Sequence, residues 1–324
     1  MDPLYVQDHG WIVNRYSQVT AVLDDPSFLV LAAEAADSGI RWLRGSVSRF
    51  TNGPDHAHRR ERVETMLRDL DPVALRAEAT VRTGAVLDGA ASGTVDVMAS
   101  LARAVPLAVL AHALAIEGGT DALVRAVAVV AAAYPPGAAV ESEQHADDAV
   151  AQLVAQLGAR DETAVAQLTV LVQACDATAG LIGNGLNIAL RLPQPLADVD
   201  SLLSETLRYS PPVRNSRRVA SVDCKLGETT IAQGSTVLLD FEAANRDPEI
   251  FSAPHRFQPG RERRYLTFGH GFRSCPGSDH AFALAAGVVE VVLARCTALT
   301  PTVDYEPSPN LRVPAALEVA VSPR

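Results

Sequence analysis

The chain has 324 residues, 48% hydrophobic and 20% charged, with 28 basic against 38 acidic side chains and a net charge of −10. That composition excludes disorder, a collagen-like repeat and a small disulfide scaffold. The acidic balance argues against a nucleic-acid surface, which needs a basic footprint to neutralise phosphates.

In chain order, Leu4–Gln7 and Trp11–Asn14 read as a short hairpin around Asp8-His9-Gly10. A short helix over Tyr16–Leu23 stops at Asp24-Asp25-Pro26. Asp55–Ile116 is rich in Ala, Leu, Arg and Glu and reads as helix, interrupted by an extended piece at Gly93–Val97. Pro135-Pro136-Gly137 separates two Ala/Val-rich helices. Glu162–Arg191 has no proline and predicts a helix about 45 Å long at 1.5 Å per residue. A helix over Val199–Tyr209 ends at Ser210-Pro211-Pro212, after which Val219–Leu239 alternates like strands with Gly227 and Gly234 as turns. Phe251–Leu266 is irregular, a last helix runs from Pro276 to Ala298, and the tail alternates like a terminal hairpin.

The fold class is therefore mainly α with a small β portion. A single domain over 1–324 is expected, with β structure at about 1–15, 213–240 and 298–324 and a helical body at about 55–210 and 276–298. The longest uncharged stretches, Ala104–Ile116, Ala126–Val140 and Ala177–Leu190, fall short of the ~20 residues that a bilayer requires. Met1–Leu4 lacks the basic and apolar regions of a signal peptide. Four widely spaced cysteines (Cys175, Cys224, Cys275, Cys296) fit a reducing compartment. The expected location is the cytoplasm, with no membrane and no nucleic acid as partner.

Phe268-Gly269-His270-Gly271-Phe272-Arg273-Ser274-Cys275-Pro276-Gly277 carries the chemistry. Pro276 suits a first helical position, and a cysteine at a helix N-terminus gains thiolate character from the dipole and free N–H groups. The glycines let backbone approach a flat ligand. A thiolate in such a loop, with an arginine two residues before it, is what axial ligation of haem iron needs. A lone cysteine near a helix start is usually a buried small residue. Phe, Gly, Arg, Cys and Gly at this spacing arise by chance on the order of 10⁻⁵ to 10⁻⁴ times in a chain of this length.

The segment resembles the haem-binding loop of the cytochrome P-450 family, FxxGx(R/H)xCxG. The resemblance implies that Cys275 is the iron ligand, with Phe268, Gly271, Arg273 and Gly277 shaping the loop. It further implies an ExxR helix, matched by Glu205-Thr206-Leu207-Arg208, which lies 70 residues before Cys275. Charges at i and i+3 share a helix face, and Arg261 is the implied third member of that haem-side core. Two propionates entering a low-dielectric pocket need cationic partners; His56, Arg60, Arg218 and Arg273 stand at the family positions. Ala244–Pro248 matches a further recurrent, structural segment.

In the long helix the family places an acid and then a threonine, which help deliver protons to dioxygen. Here Asp176 matches the acid, but Ala177 holds the alcohol position. Thr178 lies one residue later, about 100° round the helix, and points elsewhere. Without that hydroxyl, water, Asp176 or a substrate hydroxyl does the work, so slower or more uncoupled turnover is expected. Ala174 replaces the kink glycine.

The chain is short for the family, and the resemblance leads one to expect that the usual first helix, one helix between the pocket roof and the long helix, and part of the 190–205 connection are missing. His280 and Phe282 replace residues that often follow the cysteine. Gln173, Cys175 and the 28–50 segment, including Trp42 and Phe50, are pocket candidates, although Trp and Phe there more often read as core.

The leading function is a haem-thiolate monooxygenase that hydroxylates or oxidatively couples a small organic molecule of specialised metabolism. Haem b, dioxygen, and electrons from a ferredoxin and its NAD(P)H-linked reductase are implied. The alternative is a non-catalytic haem-binding or helper protein. A peroxide-driven enzyme is disfavoured by Asp176, since such relatives tend to carry arginine there.

Overall fold

The computed structural model describes residues 4–7, 10–34, 36–90, 93–135, 137–192, 198–299 and 302–322. Asp8 and His9 of the first turn, Pro136, Pro193 and the segment Met1–Pro3 lie outside the described residues.

In chain order, β1 (Leu4–Gln7) and β2 (Gly10–Val13) precede α1 (Tyr16–Asp24) and β3 (Phe28–Leu29). Helices α2 (Gly39–Ser46), α3 (Gly53–Arg68) and α4 (Pro72–Gly89) lead to β4 (Thr94–Asp96), a π-helical turn at Met98–Ala102, and α5 (Ala104–Ala113). Then come α6 (Thr120–Ala133), α7 (Val140–Leu157), α8 (Glu162–Ala189) and α9 (Val199–Tyr209). Strands β5 (Asn215–Ala220), β6 (Cys224–Leu226), β7 (Thr229–Ile231) and β8 (Thr236–Asp240) are followed by α10 (Phe241–Ala244). The chain finishes with α11 (Ser278–Arg295), β9 (Cys296–Ala298) and β10 (Glu318–Val321).

Two differences from the sequence reading have local causes. Helix α11 begins at Ser278 rather than Pro276, because Pro276 and Gly277 form a turn and Gly277 takes the N-cap place. It ends at Arg295 rather than Ala298, because Cys296–Ala298 pair with β10 as a strand.

Packing divides the chain into two compact units, one of Met1–Leu31, Asp200–Cys275 and Pro307–Arg312, the other of Ala32–Val199, Pro276–Glu306 and Val313–Arg324. The first unit is built on a sheet of order β1-β2-β8-β5-β3, in which only the β2–β8 pair is parallel. Strand alternation sends Val237 and Leu239 inward, where they meet Val13, Val19, Phe28 and Leu266 in one apolar cluster. The β6–β7 hairpin turns at Gly227.

In the second unit α8 is the central element. By length and hydropathy it would suffice to cross a membrane, but 67% of its apolar window is buried within the protein, as in a core helix. Leu168, Leu171, Leu181, Ile182 and Leu186 are almost wholly buried, each stabilising the fold by roughly 1.5–3 kcal/mol. Asp161 caps the helix by accepting the Ala164 N–H at 2.9 Å. Helix α11 packs on α4 at the closest approach glycine allows: a Cβ on Gly287 would lie 2.4 Å from the Arg76 carbonyl oxygen. Strands β4, β10 and β9 form a small sheet in this unit.

Candidate functional site

Of the four cysteines, Cys275 is exposed and the other three are buried. The loop before it is folded on itself. The Cys275 N–H donates to the Phe268 carbonyl at 2.7 Å, Gly269 N–H to Leu266 O at 2.8 Å, and Ser274 N–H to Gly271 O at 3.0 Å. These bonds fix the backbone carrying the sulfur. Gly271 adopts φ +63°, which favours glycine, and a Cβ there would meet Asp24 Oδ1 at 2.2 Å, so that carboxylate would have to move. His270 Nε2 lies 3.3 Å from Asp24 Oδ2, tying the loop to the end of α1. Phe268 packs edge-on against Tyr265, and the Arg273 guanidinium lies 5.6 Å over the exposed Phe272 ring.

Behind the loop stands the ion pair that the sequence placed on α9. Arg208 grips Glu205 with both ends of its fork, Nη2 to Oε1 at 2.6 Å and Nε to Oε2 at 2.9 Å, with both side chains at most 2% exposed. A buried pair needs its remaining donors satisfied. Arg208 therefore also donates to the carbonyls of Asn245, Pro254 and Arg256 at 2.8–3.0 Å, and Glu205 Oε1 accepts the Gln258 N–H at 2.8 Å. Arg261 completes the cluster, its Nε 3.4 Å from Glu205 Oε1. The cluster thereby holds the irregular 254–261 stretch to α9.

Asn245 extends this support, and its role was invisible in the sequence beyond a motif match. Wholly buried, it accepts the Leu266 N–H at 2.7 Å and donates to Thr267 Oγ1 at 3.1 Å and to Leu207 O at 3.3 Å. It thus anchors the two residues that lead into the cysteine loop. Arg218 lies buried on β5, with Nη1 donating to Ser216 Oγ and the Arg217 carbonyl.

In the second unit, His56 and Arg60 share α3. His56 is buried, and Arg60 Nε donates to Glu64 at 2.6 Å. Gly277 has ordinary space, with Leu67 Cδ1 at 3.6 Å from a notional Cβ. His280, on α11, places Nε2 within 2.9 and 3.1 Å of the Leu67 and Leu70 carbonyls at the end of α3.

On α8, Gln173, Ala174, Asp176 and Ala177 are partly accessible, whereas Cys175 and Thr178 are buried. Thr178 is 1% exposed and its hydroxyl has no hydrogen-bond partner among the described residues, so it does not stand in for the alcohol missing at Ala177. Asp176 is not a free carboxylate. Arg103 Nε donates to its Oδ1 at 2.8 Å, and Arg103 Nη2 holds Glu306 at 2.6 Å. Burial by itself would lower the Arg103 pKa, but the Glu306 hydrogen bond and the Asp176 charge outweigh it and hold the group above the ordinary arginine value. Sequence reasoning missed Arg103 and Glu306. The available signal was a lone charge inside the apolar run Leu101–Leu110. Burial, then the Asp176 charge, pushes the Cys175 thiol up, leaving it a poor nucleophile. Trp42 is half-buried and Phe50 is core against Tyr134, with ring centroids 5.3 Å apart.

The donor set suits an iron porphyrin: a soft sulfur at an accessible loop position, rigid backbone beneath it, and cationic side chains at Arg218 and Arg273 in the same unit. Among the described residues there is no cluster of three or more His, Cys, Asp or Glu that would hold a bare metal ion.

Comparison with known proteins agrees. The Cytochrome P-450 family model matches residues 183–314. The chain is 30% identical to the cytochrome P-450 monooxygenase PikC of Streptomyces venezuelae, over 96% of this chain and 85% of PikC. It is 27% identical to cytochrome P-450-SU2 of Streptomyces griseolus, over 92% of this chain and 83% of the relative. Its fold is similar to epothilone B-bound cytochrome P450epoK, with a TM-score of 0.86 and 22% identity, covering 99% of this chain and 94% of that one.

Proposed function

This chain belongs to the cytochrome P-450 family of haem monooxygenases, and from that premise we propose that Cys275 binds the haem iron through its sulfur in an oxidation of a small secondary metabolite. The observation that carries the assignment is the accessible Cys275 thiol on a loop closed by its own N–H to Phe268. When bound, the haem supplies dioxygen activation, with the thiolate favouring O–O cleavage.

The chain's own residues do the rest. Glu205, Arg208, Arg261 and Asn245 stiffen the backbone leading to the sulfur. Arg218 and Arg273, in the unit of Cys275, are the cations for the propionates in this reading, with haem b as the form; the family resemblance alone assigns His56 and Arg60 to the same role. Gly271 gives the loop its left-handed turn, Gly277 takes the N-cap place of α11, and Phe268 packs the loop against Tyr265. On α8, Ala177 offers no hydroxyl. Asp176 Oδ2, the oxygen not bonded to Arg103, is the atom left to hold a proton, together with water or a hydroxyl of the substrate. A ferredoxin and its NAD(P)H-linked reductase supply electrons in this reading, and the reaction is hydroxylation or oxidative coupling of a small organic molecule of specialised metabolism.

The reduced carbonyl complex tests this. A far red-shifted Soret band in the parent and its loss in Cys275→Ala are expected. An unchanged spectrum in Cys275→Ala would overturn the ligand assignment, and haem-loaded parent protein without turnover of any shifting ligand would favour a helper protein instead.

A further inference from the structure

A cavity of about 220 Å³ opens where α3 meets the beginning of α8, within the second unit. Thr169, the last α8 residue on its wall, precedes Asp176 by seven residues, about 10 Å along the helix at 1.5 Å per residue. The cavity is therefore separate from the residues assigned to proton handling.

Its charge runs against that of the whole chain. The chain carries −10, yet the cavity wall presents Arg59, Arg62 and Arg160 against Asp161 and Glu162, with His58 beside them. The carboxylates are already committed. Asp161 caps α8, and Glu162 is shared between His58 Nε2 at 2.9 Å and Arg62 Nη2 at 2.7 Å. Arg59 and Arg160 hydrogen-bond neutral groups: Arg59 donates to the Gly45 carbonyl and Thr51 Oγ1, both at 2.6 Å, and Arg160 to the Asp37 carbonyl. Arg160 is also stacked 4.2 Å over the Trp42 ring, which fixes its direction. Each guanidinium has five donors in a planar fork, so these bonds leave capacity for an oxyanion. Val63 and Val165 give the same wall an apolar strip.

We propose that this cavity binds a small oxyanion, the head of a carboxylate or phosphate compound, against Arg59, Arg62 and Arg160, with Val63 and Val165 taking its apolar part. The site stands independently of the haem assignment.

The chain has two tryptophans, Trp11 and Trp42, so protein labelled with 5-fluorotryptophan gives two ¹⁹F resonances, with Trp42→Phe assigning them. Titration with inorganic phosphate, benzoate and, at matched ionic strength, potassium chloride reads the cavity directly. A saturable shift of Trp42 with phosphate, benzoate or both, without response to chloride and with Trp11 still, is expected. The anion that saturates identifies the chemical source. Arg59→Gln and Arg62→Gln each weaken the binding at least tenfold, with Arg160→Gln as a second check should either variant fold poorly. No saturable Trp42 shift with either anion, an equal response to chloride, or parent-like affinity in folded variants would overturn the site.

Discussion

Arg103 Nε lies 2.8 Å from Asp176 Oδ1, and the same guanidinium holds both Glu306 oxygens through Nη2 at 2.6 and 2.8 Å. One cation thus serves two carboxylates, and the acid assigned to proton handling is also a structural partner. The two roles separate by substitution. Arg103→Gln removes the shared cation and is expected to lower stability by about 1–3 kcal/mol in urea unfolding, toward the lower end because Glu306 is partly exposed. Asp176→Asn keeps the shape but loses the proton, and turnover should fall by about 10²-fold, within the usual range for general acid–base groups, with a larger solvent isotope effect. Equal stability losses in the two variants with unchanged isotope effects would leave Asp176 structural only.

Ala177 is on the partly accessible side of α8, and Thr178 is turned into the core. Ala177→Thr therefore adds a hydroxyl on the partly accessible side of the helix. Less peroxide per electron pair and more product are expected on substrates that offer no hydroxyl of their own. Unchanged leakage and yield would show that the missing alcohol has no consequence here.

Glu205 and Arg208 are at most 2% exposed, and the fork of Arg208 is used in full. Breaking such a pair costs about 3–5 kcal/mol because the surviving charge is stranded. Glu205→Gln is expected to yield protein that retains little haem. Arg208→Lys should do no better, since an ammonium cannot reach the carboxylate and three carbonyls together. Haem content per chain after gel filtration measures both, and near-parental loading of Arg208→Lys would contradict the geometric argument.

What the sequence disclosed was whatever lay close together in it. Helices α1, α8 and α9 and the β5–β8 strands follow from local periodicity, and the Glu205–Arg208 spacing of three residues already fixed a shared helix face. Arg261 was found only through the family pattern. Asn245 stands 21 residues from Leu266 in the chain, and Arg103 stands 73 from Asp176. No local period links such pairs, so neither contact was readable. The start of α11 was misplaced because Pro276 suits a first helical position and equally a turn, and Gly277 at the N-cap decides for the turn.

Burial holds the thiols of Cys175, Cys224 and Cys296 protonated to higher pH than in the unfolded chain. A pKa raised in the folded state means that the folded form binds more protons above the unfolded value, so stability is full below about 8.5 and declines as pH climbs past it. The fall in melting temperature between pH 7 and pH 10 should shrink in Cys175→Ala, the most deeply buried of the three. An identical fall in parent and variant would assign the alkaline loss elsewhere.

Gly271 combines a left-handed backbone with contact to Asp24, and the two costs of replacing it differ in kind. A non-glycine residue at φ +63° costs roughly 1–2 kcal/mol regardless of neighbours. The clash falls on a carboxylate that can swing aside, but only by leaving His270, 3.3 Å away. Gly271→Ala should therefore fold, with the loop re-aimed and the Soret band of the reduced carbonyl complex divided between thiolate and non-thiolate forms. Adding Asp24→Ala relieves the clash while the backbone strain persists, so partial recovery is expected. Full recovery would make the clash the whole cost, and no recovery would place it entirely in the backbone.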